Sequence, residues 1–208
     1  MPLNPSDSAQ SSLNADAAAS GDSRTKLSRT SVALHWTVAI SMIGMLFFGL
    51  YLDDLERGDA KTALVALHKS LGSLILFLVI ARIWWRTRQG ALQPLGNHPH
   101  WQHIAARASH HVLLFGTLAM PLSGLLRSIG RGRPIDIFGF PFIPQIFAEK
   151  NEILSAIGST LHEWIAYALL IVITGHILAA LKHFLIDGDG TLQRMLGARV
   201  GQSASGKV

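Results

Sequence analysis

The chain contains no cysteine. That absence excludes disulfides, iron–sulfur clusters, zinc thiolate sites and the C-x-x-C-H attachment of c-type haem, so any haem here must be held by non-covalent axial ligands. Charge is also scarce. Asp, Glu, Lys and Arg make up 15% of the 208 residues, against roughly 25% in an ordinary soluble domain. Hydrophobic residues reach 49% and mean hydropathy is +0.33, more apolar surface than a soluble fold of this size can hide. The length suits one domain and is short for two. A net charge of +5 raises nucleic acid as a partner. There is, however, no basic arm interleaved with aromatics and no zinc-finger or RNP signature, so no nucleic-acid role is expected. The basic residues instead flank apolar runs, the usage found in membrane proteins in contact with lipid.

Four such runs stand out: Ser31 to Leu52, Leu64 to Trp85, His103 to Ile129 and Thr160 to Leu181. Each is close to the ~20 residues needed to cross ~30 Å of hydrocarbon at 1.5 Å per residue. The fold class expected is all-α, a four-helix transmembrane bundle, with Pro121 kinking the third helix. Residues 1–28 are rich in Ser, Ala, Asp and Asn and read as a disordered cytoplasmic tail, not a signal peptide, because the first apolar run starts only after residue 30. The helical domain is then 29–197, and 198–208 form a flexible C-terminal tail. The loop from about 130 to 158 carries RGRPIDIFGFPFIPQIF and is placed partly at the membrane interface.

With four spans both termini share a side. That side holds Arg24, Lys26 and Arg29 before the first run, Arg82, Arg86, Arg88 and Arg107 around the middle loop, and Lys182, Arg194, Arg199 and Lys207 after the fourth. The opposite side has fewer: Arg57, Lys61, Lys69, Arg127, Arg131, Arg133 and Lys150, with Asp53, Asp54, Glu56 and Asp59 among them. The positive-inside rule puts both termini in the cytoplasm.

Of ten histidines, four occupy informative depths. His35 lies about a turn inside the cytoplasmic end of the first run, and His68 about a turn inside the outer end of the second. His162 and His176 share the fourth run, 14 residues apart. That separation is nearly four helical turns, so both imidazoles face one way, about 21 Å apart along the axis. By depth His35 can meet His176, and His68 can meet His162. Two bis-histidine b-type haems need such an arrangement, since a low-spin haem that only passes electrons takes two strong nitrogen donors. Small residues leave room for a flat macrocycle: Gly44, Gly49, Gly72, Gly116, Gly124 and Gly175. The competing readings are interhelical hydrogen bonding by single histidines and a haem-free proton or metal path.

Other positions carry weaker signals. His110 and His111 could contact a haem propionate or a quinone, or sit at the interface. His98, His100 and His103 read as solvated loop residues with some capacity for adventitious metal. His183 and Lys182 lie where a quinone headgroup could be hydrogen-bonded; the alternative is an interfacial anchor. Arg127, Arg131 and Arg133 could pair with haem propionates or steer an anionic substrate, or form a solvated basic loop. Trp36, Trp84, Trp85 and Trp164 fall at helix ends as an aromatic belt.

The segments SRTSVALHWTVAISMIGMLFFGLYL, LHKSLGSLILFLVIARIWWR, HHVLLFGTLAMPLSGLL and LHEWIAYALLIVITGHILAALKHFLIDGDGTLQRML together resemble the prokaryotic di-haem cytochrome b561 family, over about residues 27–197. The resemblance implies two b haems in a four-helix bundle of the bacterial inner membrane, on His35 with His176 and on His68 with His162. A close relative within that resemblance oxidises superoxide at the periplasmic face and reduces ubiquinone. Carried over, superoxide approaches past Arg127, Arg131 and Arg133, and ubiquinone binds near His183 and Lys182. The expected function is thus an oxidoreductase moving electrons from the periplasmic side to the quinone pool. The rival readings are a cytochrome b subunit conducting for a partner dehydrogenase, and a haem-free, His-lined transporter.

Overall fold

The computed structural model describes residues 22–23, 26–89, 95 and 99–200. Its frame is four long helices: α1 Arg29–Asp54, α2 Asp59–Gln89, α3 His100–Gly130 and α4 Glu152–Lys182. All four are long and apolar enough to cross a membrane. Each outruns its apolar segment, because the backbone hydrogen bonds continue through the polar residues at either end. At 31 residues, α2, α3 and α4 are each about 46 Å long and overshoot ~30 Å of hydrocarbon at both ends. Ser28 caps α1 by accepting from Ser31 N at 3.2 Å, and Asn151 caps α4 by accepting from Leu154 N at 2.9 Å. Basic Arg86 and Arg88 in the last turn of α2, and Lys182 in that of α4, suit the negative end of the helix dipole. Pro121 is buried inside α3, and the helix runs on through it to Gly130.

Most apolar side chains point away from the protein. In the most apolar window of α4 only 6% of residues are buried, the pattern of a helix solvated by lipid. The buried centre is small: Val38, Met42 and Leu46 of α1, Ile75 and Val79 of α2, Met120 of α3 and Leu169 of α4. α3 and α4 pack most closely. A Cβ on Gly130 would stand 2.5 Å from Ser155 N, and one on Gly158 the same distance from Arg127 N, so only glycine allows this backbone contact.

The α3–α4 connection differs from the simple loop expected. It is shorter, because α4 starts at Glu152, and it folds into an antiparallel hairpin of β1 Ile135–Ile137 and β2 Phe140–Ile143. Phe138 (φ 51°) and Gly139 (φ 85°) make its two-residue turn, both left-handed as this turn type requires. We call this the hairpin end of the bundle, and the opposite one the terminal end.

At the terminal end α4 widens into a π-helical turn, His183–Asp187, then reverses at Gly188 and Gly190 into a short α5, Thr191–Met195. The reversal brings Met195 O to Trp36 Nε1 at 2.9 Å. Residues 26–28, assigned by composition to the tail, are described: Leu27 is 3% exposed, and Asp22 Oδ1 accepts from Ser28 N at 2.9 Å. Residues 1–21, Arg24, His98, and 201–208 of the expected C-terminal tail, with Lys207, lie outside the described residues. His100 and His103 open α3 rather than sitting in a loop.

Candidate functional site

Two clusters of histidine form, one toward each end of the bundle, with the apolar centre between them.

At the hairpin end, His68 of α2 and His162 of α4 face each other with ring centroids 6.4 Å apart and planes at 80°. The bonding of His162 fixes its tautomer. Ser123 Oγ donates to Met120 O at 2.7 Å, and His162 Nδ1 lies 3.0 Å from that hydroxyl oxygen and 3.2 Å from Met120 O. A carbonyl only accepts, so His162 Nδ1 carries the proton and its Nε2 keeps a lone pair. Such a bond to a carbonyl is how a metal-ligating imidazole is usually oriented. His68 is the counterpart: its Nδ1 is buried with no hydrogen-bond partner, a costly state for an imidazole that nothing ligates.

Space surrounds the pair. A cavity of about 1300 Å³ is lined by His68, His162, Gly49, Gly72 and Gly124, with Met42, Leu46 and Met120 at its apolar floor. A Cβ on Gly124 would stand 3.1 Å from His162 Cε1, and one on Gly49 3.6 Å from His68 Cε1, so these glycines keep the ring faces clear. Two imidazoles, an unpartnered ring nitrogen and a glycine-lined apolar cavity fit a flat iron macrocycle held by nitrogen ligands.

The cavity mouth is basic. Arg127, Arg131, Arg133 and Lys69 are among the cavity's lining residues, where basic groups outnumber the acidic Asp53, Asp136 and Glu163. Arg127 Nε is buried without a hydrogen-bond partner. Burial, and after it the nearby charges of Arg127 and Arg133, lowers the pKa of the Arg131 guanidinium from its ordinary value.

The terminal-end cluster is built differently. His35 of α1 and His176 of α4 are brought into one electrostatic neighbourhood, but a third imidazole joins them: His110 of α3 stands edge-on to His176, centroids 5.6 Å apart. Arg82 Nη2 donates to His35 Nδ1 at 2.8 Å. Guanidinium never accepts, so Nδ1 holds the lone pair and a neutral His35 carries its proton on Nε2. Ligation through Nε2 requires Arg82 to let go. The packing of His110 on His176 and the Arg82–His35 bond were not legible in the sequence. The one available signal was that His110 lies at the depth of His35 and His176.

Lys182 and His183 lie beyond this cluster, on the π-helical turn. Lys182 Nζ is 2.7 Å from Asp187 Oδ2, and His183 Nδ1 is 2.8 Å from the same oxygen and 3.1 Å from Asp189 Oδ2. Aspartates thus already engage both residues expected to meet a quinone. Of the belt tryptophans, Trp36 and Trp85 are hydrogen-bonded, to Met195 O and Ser31 Oγ, while Trp84 and Trp164 are exposed.

Comparison with known proteins agrees with this architecture. The sequence pattern of the family described as prokaryotic cytochrome b561 matches residues 26–198. The chain is 36% identical to "Cytochrome b561 homolog 2" of Escherichia coli (strain K12) over 168 residues, covering 80% of this chain and 89% of that one. It is 29% identical to "Cytochrome b561 homolog 1" of the same organism over 179 residues, 84% and 98% of the two chains. Matched along nearly its whole helical frame, the chain belongs to the prokaryotic cytochrome b561 family, membrane proteins that transfer electrons on b-type haem.

Proposed function

We propose that residues 29–197 form a di-haem domain that carries electrons across the bacterial inner membrane, from superoxide at the outer, hairpin end to ubiquinone at the cytoplasmic end where both termini lie. His68 and His162 would hold one haem b, and His35 and His176 the other. The observation that carries this reading is the His68–His162 pair: two facing imidazoles beside a glycine-lined cavity, one oriented by a carbonyl and one left without a partner. When bound, the haems supply one-electron redox couples at two depths.

The chain's own part is binding, orientation and exclusion of water. Met120 O holds the His162 ring, which lines the cavity, with its lone pair on Nε2. Val38, Met42, Ile75, Val79 and Leu169 fill the space between the clusters and keep water from the middle of the bundle. Arg127, Arg131 and Arg133 concentrate a small anion at the mouth, which needs no separate docking domain. Superoxide gives up one electron to become dioxygen. Ubiquinone takes two electrons and two protons to become ubiquinol, so two superoxide ions are consumed per quinol. At the cytoplasmic end Lys182 and His183, bridged by Asp187, are the polar groups nearest a quinone headgroup, and Asp187 would have to share them.

The test is direct. Purified protein should show reduced b-type absorbance with two haems per chain, and in vesicles should reduce a short-chain ubiquinone when superoxide is generated outside. A colourless protein would remove both haems from the account. A coloured protein that reduces quinone only when a stoichiometric dehydrogenase co-purifies would replace superoxide with that partner.

A further inference from the structure

We propose that the β1–β2 hairpin is itself a membrane-seated element, its phenylalanine face in contact with the acyl chains of the adjacent leaflet. The stretch 137–148, IFGFPFIPQIFA, has no charged residue, and Phe138, Phe140 and Ile146 are 54%, 77% and 56% exposed. A contiguous apolar face of this kind on a loop surrounded by water would be an aggregation hazard.

Its place against α2 says what covers it. Ser70 Oγ accepts from Phe138 N at 3.1 Å, and its one proton is shared between Asp136 O and Ala66 O of its own helix, both at 3.1 Å. Phe142 stacks edge-on against Phe77, centroids 5.7 Å apart. Ser70 is six residues inside the start of the apolar run at Leu64, about 9 Å down the helix, and Phe77 is about 20 Å down. Helical side chains lean toward the N-terminus, so the Phe77 ring reaches back up toward the hairpin. Phe77 is itself half-exposed on the lipid-facing side of its span, and the hairpin face is continuous with that surface.

The backbone is also prepared for a dry setting, where each unpaired group costs several kcal/mol. Ile135 pairs with Ile143, Asp136 with Pro141 and Ile137 with Phe140, with one bulge that leaves Phe142 out of the register. Ser70 Oγ takes the Phe138 N–H of the turn. Pro141 and Pro144 have no N–H to leave unpaired on the outer edge.

Because the chain lacks cysteine, single substitutions report single positions. Phe140→Cys carries a nitroxide, the haem-loaded protein is reconstituted in phosphatidylethanolamine–phosphatidylglycerol vesicles, and spin-label accessibility to dissolved oxygen and to a water-soluble nickel chelate is measured. Ile146→Cys is the second probe, Phe47→Cys on α1 the lipid-facing control and Glu149→Cys the aqueous one. The proposal expects residues 140 and 146 to follow residue 47, with oxygen accessibility several-fold above nickel. Higher nickel accessibility at both would place the hairpin in water and overturn it. Low accessibility to both reagents would mean a protein cover, such as a second copy of the chain, and would equally overturn it. Both probe sites are exposed, so neither substitution removes a buried contact.

Discussion

The two histidine clusters occupy similar depths in opposite halves of one bundle, yet they are at different stages of readiness. At the hairpin end, the His162 ring lines the cavity with its lone pair on Nε2, and His68 Nδ1 has no hydrogen-bond partner. At the terminal end, His35 spends its lone pair on Arg82, and His176 has His110 against its ring. The first cluster is preorganised by a backbone carbonyl, which cannot move away. The second is held by a long, flexible arginine, which can. The lesson is that matching depth is not sufficient; the hydrogen bond on the far nitrogen decides which imidazole is poised to ligate.

The largest effect that can break this comparison is loss of one cluster alone. His176→Ala should remove the haem of the terminal end and leave the other, halving haem per chain and removing one component of a redox titration. Loss of both would show that the clusters are not independent.

Next is the space beside the preorganised pair. Gly124→Val adds bulk where even a Cβ lies 3.1 Å from His162 Cε1. Haem affinity at the hairpin end should fall about tenfold or more, with the terminal end unaffected. Equal loss at both ends, read by the same titration, would point to general destabilisation.

The basic mouth comes third. Replacing Arg127, Arg131 and Arg133 together by Gln should slow superoxide-driven quinone reduction by about tenfold at low ionic strength and flatten its salt dependence. Retention of the original salt slope would show that these arginines do not steer.

Smallest, and most telling for the comparison, are the hydrogen bonds. Arg82→Gln takes a cation from His35 and should lower the potential of the terminal-end haem on the order of tens of millivolts. Ser123→Ala leaves Met120 O in place on His162, so the hairpin-end potential should move less. A larger shift for Ser123→Ala would reverse the assignment of which cluster is carbonyl-held.

The four spans were legible in the sequence because hydrocarbon sets their length, and the depths of His35, His68, His162 and His176 followed from helical rise alone. What could not be read was rotation. Each span is apolar nearly all round, so no polar face fixes which way it turns, and the bonds from Ser123 and Met120 to His162 or from Arg82 to His35 depend on that turn. The hairpin escaped because its prolines and single turn glycine read as loop, while the serine that pins it sits in another helix. Asp187 was hidden by the π-helical widening, which brings its carboxylate round to Lys182 and His183.

The measurement that bears most directly on the central claim is the haem content of His162→Ala beside the unaltered protein, by reduced pyridine haemochrome per mole of chain. The account predicts about two haems falling to about one, with the terminal-end couple retained in the redox titration. An unchanged content of two would contradict it, because the imidazole that Met120 holds toward the cavity would then be ligating nothing.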